Sequence, residues 1–158
     1  MKKKLSHIDK SGLPSMVDVS KKKITTRTAQ AQAKVLLTSK ILNALHEGEL
    51  ITKKGPVFQT AIIAGVMAAK KTSELIPLCH PLLTEDCQIK IVKSKSGVII
   101  NSFVKVTAKT GAEMEALTAV TVAALTIYDM CKALSHDIII EEIKLISKTG
   151  GKNDFNRK

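Results

Sequence analysis

The stretch that most constrains this chain is residues 109–134, KTGAEMEALTAVTVAALTIYDMCKAL, the longest uninterrupted helical pattern in the sequence. Thr110 followed by Glu113 is typical of a capping box at a helix N-terminus. Three- and four-residue spacing predicts one buried stripe along a helix of roughly 35 Å, formed by Leu117, Thr121, Ala124, Leu125 and Tyr128. Most candidate functional residues lie on this helix or must reach it.

A chain of 158 residues can bury a core and fold as one domain without disulfide or metal cross-links. We predict a single domain over 1–158, with flexible segments at 1–15 and 149–158. The cysteines are odd in number and form no C-x-x-C pair, which favours a reducing compartment and no metal site: Cys79, Cys87 and Cys131. The N-terminus lacks an apolar stretch and no run is long enough to cross a bilayer, so we expect a cytoplasmic protein without a membrane partner.

The charge balance predicts an anionic partner. The formal net charge is +11, from 25 Lys plus Arg against 14 Asp plus Glu. The four aromatic residues include none in a basic strand, which argues against single-stranded nucleic acid as the partner. Because the excess is mostly scattered lysine, an ordinary solvated surface explains it as well as a binding role does.

The first half of the chain predicts a strand, a short helix and a longer helix. Residues 16–19 are a candidate short strand. Alternation over 24–37 predicts a half-buried strand, although its Ala and Gln content also suits a helix. A short helix is expected over 39–47, and a longer one runs from Pro56 to Leu75. The longer helix carries a strip of small residues that would let a neighbouring backbone approach closely: Ala61, Ala64, Gly65 and Ala68.

The second half predicts a hairpin, the long helix and a last strand. Pro77 ends the second helix, and 87–92 and 98–106 alternate around a turn at 93–97. Another strand is expected over 138–146. The order strand, helix, strand, strand, helix, strand is that of a ferredoxin-like α+β fold, an antiparallel sheet with helices packed on one face.

The carboxylates of the long helix are candidates for proton transfer. Asp129 and Lys132 lie one turn apart, and we expect both on a largely buried face, where each would shift the other's proton affinity. Glu113 is explained by the capping box alone. Glu115 turns to another face, where a substrate role and a solvated acid are equally good explanations.

Two loops could hold a substrate. His80, between two prolines and next to Cys79, could exchange a proton near neutral pH, although a lone loop histidine is more often only exposed. Lys54 and the glycine-rich segment 148–152 supply ammonium and backbone N–H groups that suit phosphate. A Walker loop is absent from the sequence.

The spacing of the carboxylates predicts an oligomer. Glu115 and Asp129 are fourteen residues apart, hence roughly 21 Å apart on a straight helix. If both serve one site, the second must come from another subunit. We expect the small-residue strip to be one surface where subunits pack closely.

Taken together, these motifs resemble the cyclic pyranopterin monophosphate synthase family of molybdenum cofactor biosynthesis. The resemblance covers nearly the whole chain, and its motifs are Met16–Val19, Lys54-Gly55, 60–65, 68–72, 75–81 (LIPLCHP), Lys109–Gly111 with 113–117 (EMEAL), 123–133 (AALTIYDMCKA) and Lys148 with Gly150–Lys152. The chain departs from the family pattern at Ala112, at a slightly long loop over 47–52 and at a shortened tail after Gly151.

The resemblance implies a lyase that converts a 3′,8-cyclised dihydro derivative of GTP into cyclic pyranopterin monophosphate and diphosphate. It implies a ferredoxin-like homohexamer, a trimer of dimers with sites at subunit interfaces. Asp129 would be the acid–base residue, assisted by Lys132, with Lys54 at phosphate or the reacting ring. The implied substrate contacts are Leu78, Cys79, His80, Met114, Glu115 and Lys148. The sequence calls for no cofactor, and Mg²⁺ association with the triphosphate stays open.

A competing hypothesis is a basic nucleotide- or RNA-binding module without catalysis. The positive charge and the predicted fold favour it, while the missing aromatic residues on the hairpin strands argue against it.

Overall fold

The computed structural model describes Ile8 and residues 11–158. Seven strands and four helices follow one another along this part of the chain. In order they are β1 (Thr25–Leu36), α1 (Ser39–Leu42), β2 (Ile51–Thr52), β3 (Gly55–Pro56), α2 (Val57–Lys70), α3 (Thr72–Leu75), β4 (Asp86–Ser94), β5 (Gly97–Ala108), α4 (Glu113–Cys131), β6 (Ile139–Thr149) and β7 (Phe155–Asn156).

An antiparallel sheet in the order β4-β5-β1-β6-β7 carries α2 and α4 on one face. The central strand β1 has one apolar face that the helices cover. Its buried residues are Ala29, Ala31, Ala33 and Val35, while alternate residues face the other side of the sheet. The strand prediction for 24–37 is thus confirmed, as is the α+β class. The order of the four long strands is consistent with the ferredoxin-like arrangement.

Helix α4 is the core helix, but two of its predicted features are wrong. It begins at Glu113 after Ala112, without a side-chain cap, so no capping box forms. Of the predicted buried stripe only Ala124 is buried, and Leu125 is 54% exposed. The face that packs on the sheet and α2 includes Ala116, Val120, Ala123 and Ile127. Because this helix is apolar almost all round, spacing alone could not select the buried face.

By length and composition α4 could cross a membrane. Over half of the apolar window, 56%, is nevertheless buried inside the protein against the sheet and α2. Its apolar character therefore reflects its place in the core.

The small-residue strip of α2 packs inside the subunit. Ala61 is fully buried, Gly65 is buried and Ala68 is 7% exposed. A Cβ atom at Gly65 would lie 2.8 Å from the Ala119 carbonyl oxygen of α4 and would collide with Ile89 of β4. The prediction that this strip forms a subunit contact is wrong, because α4 of the same chain already occupies it.

Smaller differences concern loops and ends. Residues 16–19 form no strand, the helix expected over 39–47 ends at Leu42, and the helix expected to reach Leu75 breaks between α2 and α3. The tail folds back, so that β7 pairs with β6. Of the segment 1–15, residues 1–7, 9 and 10 lie outside the described residues.

Replacing Gly65 by Ala is expected to destabilise the protein. The added methyl meets a backbone oxygen, so α2 and α4 must separate, and overpacking of this kind costs about 1–3 kcal/mol in free energy of unfolding. Urea unfolding measures the loss. Ala64→Gly, at the neighbouring half-buried position, provides the helix-propensity control. A Gly65→Ala protein more stable than wild type would show that the helices do not touch here.

Candidate active site

The predicted site residues fall into two groups at opposite ends of α4. Glu113 and Glu115 lie in its first turn, and Asp129 lies in its last. Sixteen residues separate Glu113 from Asp129, a rise of about 24 Å along a straight helix. The helix therefore sets the distance between the two groups within a subunit.

At the C-terminal end, Asp129 lies between two lysines. Its Oδ2 accepts a hydrogen bond from Lys54 Nζ at 2.6 Å, and Lys132 Nζ lies 2.8 Å from its Oδ1. All three side chains are about half exposed, so the prediction of a buried Asp–Lys pair is wrong. The pairing of these residues, in contrast, is present.

The two lysines control the charge of Asp129. Hydrogen bonds from Lys132 and then Lys54 lower the pKa of this carboxyl to about 2, and Asp129 in turn raises the pKa of Lys132. At neutral pH the group is a carboxylate between two ammonium ions. It can orient the two lysines, but with so low a pKa it is a poor general acid or base near neutral pH.

At the N-terminal end, a pocket of about 240 Å³ collects five of the predicted substrate contacts. Leu78, Cys79 and His80 line it from the loop after α3, and Met114 and Glu115 line it from α4. Val17 and Val19 of the segment before β1 also line it, as do Lys22, Leu82, Thr110 and Gly111.

Glu115 is the unusual group of this pocket. It is only 4% exposed, so the alternative of a solvated acid is wrong. Burial, with a smaller contribution from the neighbouring Glu113, raises the pKa of its carboxyl to about 7. Burial, and then the charge of Glu115, also raises the pKa of the Cys79 thiol, which keeps that thiol protonated at neutral pH. Glu115 can therefore both donate and accept a proton near neutrality.

A basic cleft of about 480 Å³ adjoins this pocket. Lys148 and Glu113 form an ion pair of 2.8 Å here, so capping does not explain Glu113. Lys22, Arg27 and Lys152 also line the cleft. Lys22, Thr110 and Gly111 line both cavities, so the pocket and the cleft are immediate neighbours.

Sequence reasoning missed Lys22 and Arg27. Lys22 stands in a run of three lysines, and Arg27 lies in the alternating segment 24–37 that predicts a strand. Its Nε donates to the Ala108 carbonyl oxygen at 3.1 Å, which fixes the guanidinium at the cleft. The available signal was composition, because Arg27 is one of only two arginines in a lysine-rich chain.

The raised pKa of Glu115 predicts a pH-dependent stability. Between its usual pKa of 4.5 and about 7, the folded state binds a proton that the unfolded chain has lost. Stability from this group is therefore full below pH 4.5, falls as pH rises, and is lost above pH 7. Glu115→Gln should gain about 2–3 kcal/mol relative to wild type between pH 5 and pH 8.5 in urea unfolding. Glu74→Gln, at an exposed position, is the control, and equal pH slopes for wild type and Glu115→Gln would contradict the assignment.

Comparison with known proteins identifies the family of this chain. The MoaC family model matches residues 16–151. A cyclic pyranopterin monophosphate synthase of Shouchella clausii is 51% identical over 155 residues, covering 95% of this chain and 92% of that protein. One from Xanthomonas campestris pv. campestris (strain B100) is 49% identical, covering 96% of this chain and 93% of that protein.

A longer relative matches as well. Molybdenum cofactor biosynthesis protein 1 of Dictyostelium discoideum is 50% identical over 166 residues, which cover 94% of this chain but only 26% of that protein. Because the family model and relatives of about half identity match the chain along nearly its whole length, the chain belongs to the MoaC family, a family of molybdenum cofactor biosynthesis enzymes.

Proposed function

We propose that this enzyme converts the 3′,8-cyclised dihydro derivative of GTP into cyclic pyranopterin monophosphate and releases diphosphate. The name of the bacterial relatives supports the product. The observation that carries the proposal is that the basic cleft lies directly beside a pocket holding a buried carboxyl whose pKa is raised to about 7. A substrate that is both polyanionic and in need of proton transfers fits this combination.

The basic cleft suits the triphosphate. Lys22, Arg27, Lys148 and Lys152 can neutralise its charge, and the planar guanidinium of Arg27 can bind a phosphate through two hydrogen bonds. Cations at this place also stabilise the charge that develops on departing diphosphate. Mg²⁺ could accompany the phosphates, and the described residues contain no group of three His, Cys, Asp or Glu side chains suited to a resident metal.

The adjoining pocket suits the ring chemistry. Opening and closing rings requires protons to move at several atoms, and Glu115 has a pKa close to the working pH. His80 and Cys79 line the same cavity and supply further hydrogen-bonding groups.

The group at Asp129 joins this site through assembly. Lys54, Asp129 and Lys132 are about 24 Å from the cleft within one subunit, so we propose that a second subunit supplies them. There the lysines would face the phosphates or the reacting ring, and the Asp129 carboxylate would hold both lysines in place. The proposed assembly is a homohexamer built as three dimers.

The competing RNA-binding module finds little support. The open face of the sheet carries Gln30, Gln32 and Asn101 around a single aromatic residue, Phe103. A sheet that binds RNA by stacking needs two or three aromatic residues there.

The test is turnover of the cyclised nucleotide by the pure protein. Wild type should release one diphosphate for each pyranopterin formed. Asp129→Asn should keep its fold, since the side chain is exposed, and lose at least about a hundredfold in kcat/KM, because the amide no longer holds Lys54 and Lys132 by charge. Asp137→Asn, the same change at an exposed loop position beyond α4, is the control. Absence of turnover by wild type would overturn the proposed function, and near-normal turnover by Asp129→Asn would remove Asp129 from the mechanism.

A further inference from the structure

The hairpin that carries Lys54 is too small to hold its own shape. It consists of residues 51–56, in which β2 and β3 pair over two residues each. An isolated pair of strands is marginal in water even when it is much longer. Yet the Lys54 Nζ atom meets both the carboxylate and the backbone carbonyl of Asp129, at 2.6 and 3.2 Å. Something outside the hairpin must fix it.

The hairpin is attached to the first turn of α2, which starts directly after β3. Its N-cap is Pro56, whose side chain cannot accept a hydrogen bond. The first N–H groups of the helix therefore need acceptors from elsewhere. Val57 N donates to the Leu50 carbonyl oxygen at 2.9 Å, which leaves the next two N–H groups to be satisfied.

Glu49 supplies both missing acceptors. Its Oε1 accepts from Phe58 N at 2.8 Å, and its Oε2 accepts from Gln59 N at 3.1 Å. The same Oε1 also accepts from Leu50 N at 2.8 Å. One carboxylate thus joins the residue that precedes β2 to the residues that follow β3, and it does so at a helix N-terminus, where negative charge is favoured.

The base of the hairpin is buried, while its tip is not. Leu50 is 1% exposed and Phe58 is 7% exposed, whereas the Lys54 side chain is 53% exposed. Inside the tip, Thr52 Oγ1 accepts from Lys54 N at 3.2 Å and donates to the Gly55 carbonyl oxygen at 3.3 Å. The direction of the tip is therefore set by the base that Glu49 closes.

We propose that Glu49 is a positioning residue, which clamps the base of the hairpin 51–56 to α2 and thereby holds Lys54 against Asp129. The proposal rests on the function proposed above, because it assigns the clamp to the site in which Lys54 acts. Glu49 itself touches no part of the cleft or the pocket.

The first arm of the test needs no substrate. Acetylation of individual lysines by acetic anhydride is followed by mass spectrometry in wild type and Glu49→Ala. Lys54 should react at least about threefold faster in the variant, because its Nζ atom no longer donates hydrogen bonds to Asp129 and is free to attack the anhydride. Lys53, its exposed neighbour, is the internal reference. Lys132 should not change, since it directly follows α4 and pairs with Asp129 only three residues before it, without a contribution from the hairpin. A general loss of structure would expose Lys132 as well.

The second arm is a double-mutant cycle on kcat/KM. Glu49→Ala should lower kcat/KM by roughly tenfold in the wild-type background and hardly at all in a Lys54→Ala background, because the two residues act as one unit. Glu49→Gln keeps one acceptor oxygen and should fall between wild type and Glu49→Ala, and it replaces the alanine variant if that protein does not fold. Glu74→Ala, the loss of an exposed glutamate, should have no effect.

The two arms separate the possible failures. An unchanged rate for Lys54, a parallel increase for Lys132, or equal losses of kcat/KM in both backgrounds would overturn the positioning role. A wild-type protein without turnover would refute the proposed function, while the acetylation rates would still decide whether Glu49 holds Lys54.

Discussion

The rigidity of α4 is the constraint on which the site depends. Nineteen helical residues, packed on the sheet and on α2, keep Glu115 and Asp129 at opposite ends of one rod. Neither end can approach the other without breaking the core, because Gly65 lets the two helices touch without a gap. A reaction that uses both ends must therefore bring together two copies of the chain.

The surroundings at the two ends of α4 shift the pKa values of their carboxyl groups in opposite directions. At Glu115 burial disfavours the charge, and the pKa rises to about 7. At Asp129 two exposed lysines stabilise the charge, and the pKa falls to about 2. When the pKa values of two carboxyl groups differ this much, the group with the pKa near 7 is suited to exchange protons and the other is suited to remain charged. The family resemblance gives the proton-transfer role to Asp129. Within one subunit, however, the pKa of Glu115 lies closer to neutral pH and suits that role better.

Much of the fold could be predicted because its strands alternate cleanly. The hairpin 87–106, strand β1 and strand β6 follow from a period of two residues, and their order gave the α+β class. The buried face of α4 could not be predicted, since a helix apolar on all sides has no preferred face. Neither could the role of the small-residue strip, because close packing within a subunit and between subunits calls for the same residues.

The candidate site was only partly visible in the sequence. The pairing of Asp129 with Lys132 followed from helical spacing, the chemistry of the loops indicated Lys54, His80 and the segment 148–152, and the resemblance added Leu78 and Met114. The burial of Glu115 depends on the loop 76–82 and on the segment before β1, which are brought together only by the fold. Glu49 was invisible for the same reason, because its bonds run to a helix that begins eight residues later.

The most direct measurement of the shared site uses mixed oligomers. Glu115→Gln and Asp129→Asn proteins carry different affinity tags. Each is produced alone, and the two are also produced together in one cell. Part of the co-produced protein is then purified through both tags in turn, which selects the mixed oligomers. Neither variant should turn over alone. In an unselected equal mixture of dimers roughly a quarter of the wild-type activity should return, because half the dimers are mixed and each of those holds one intact site. Mixed oligomers that carry both tags and remain inactive would contradict a site built from two subunits.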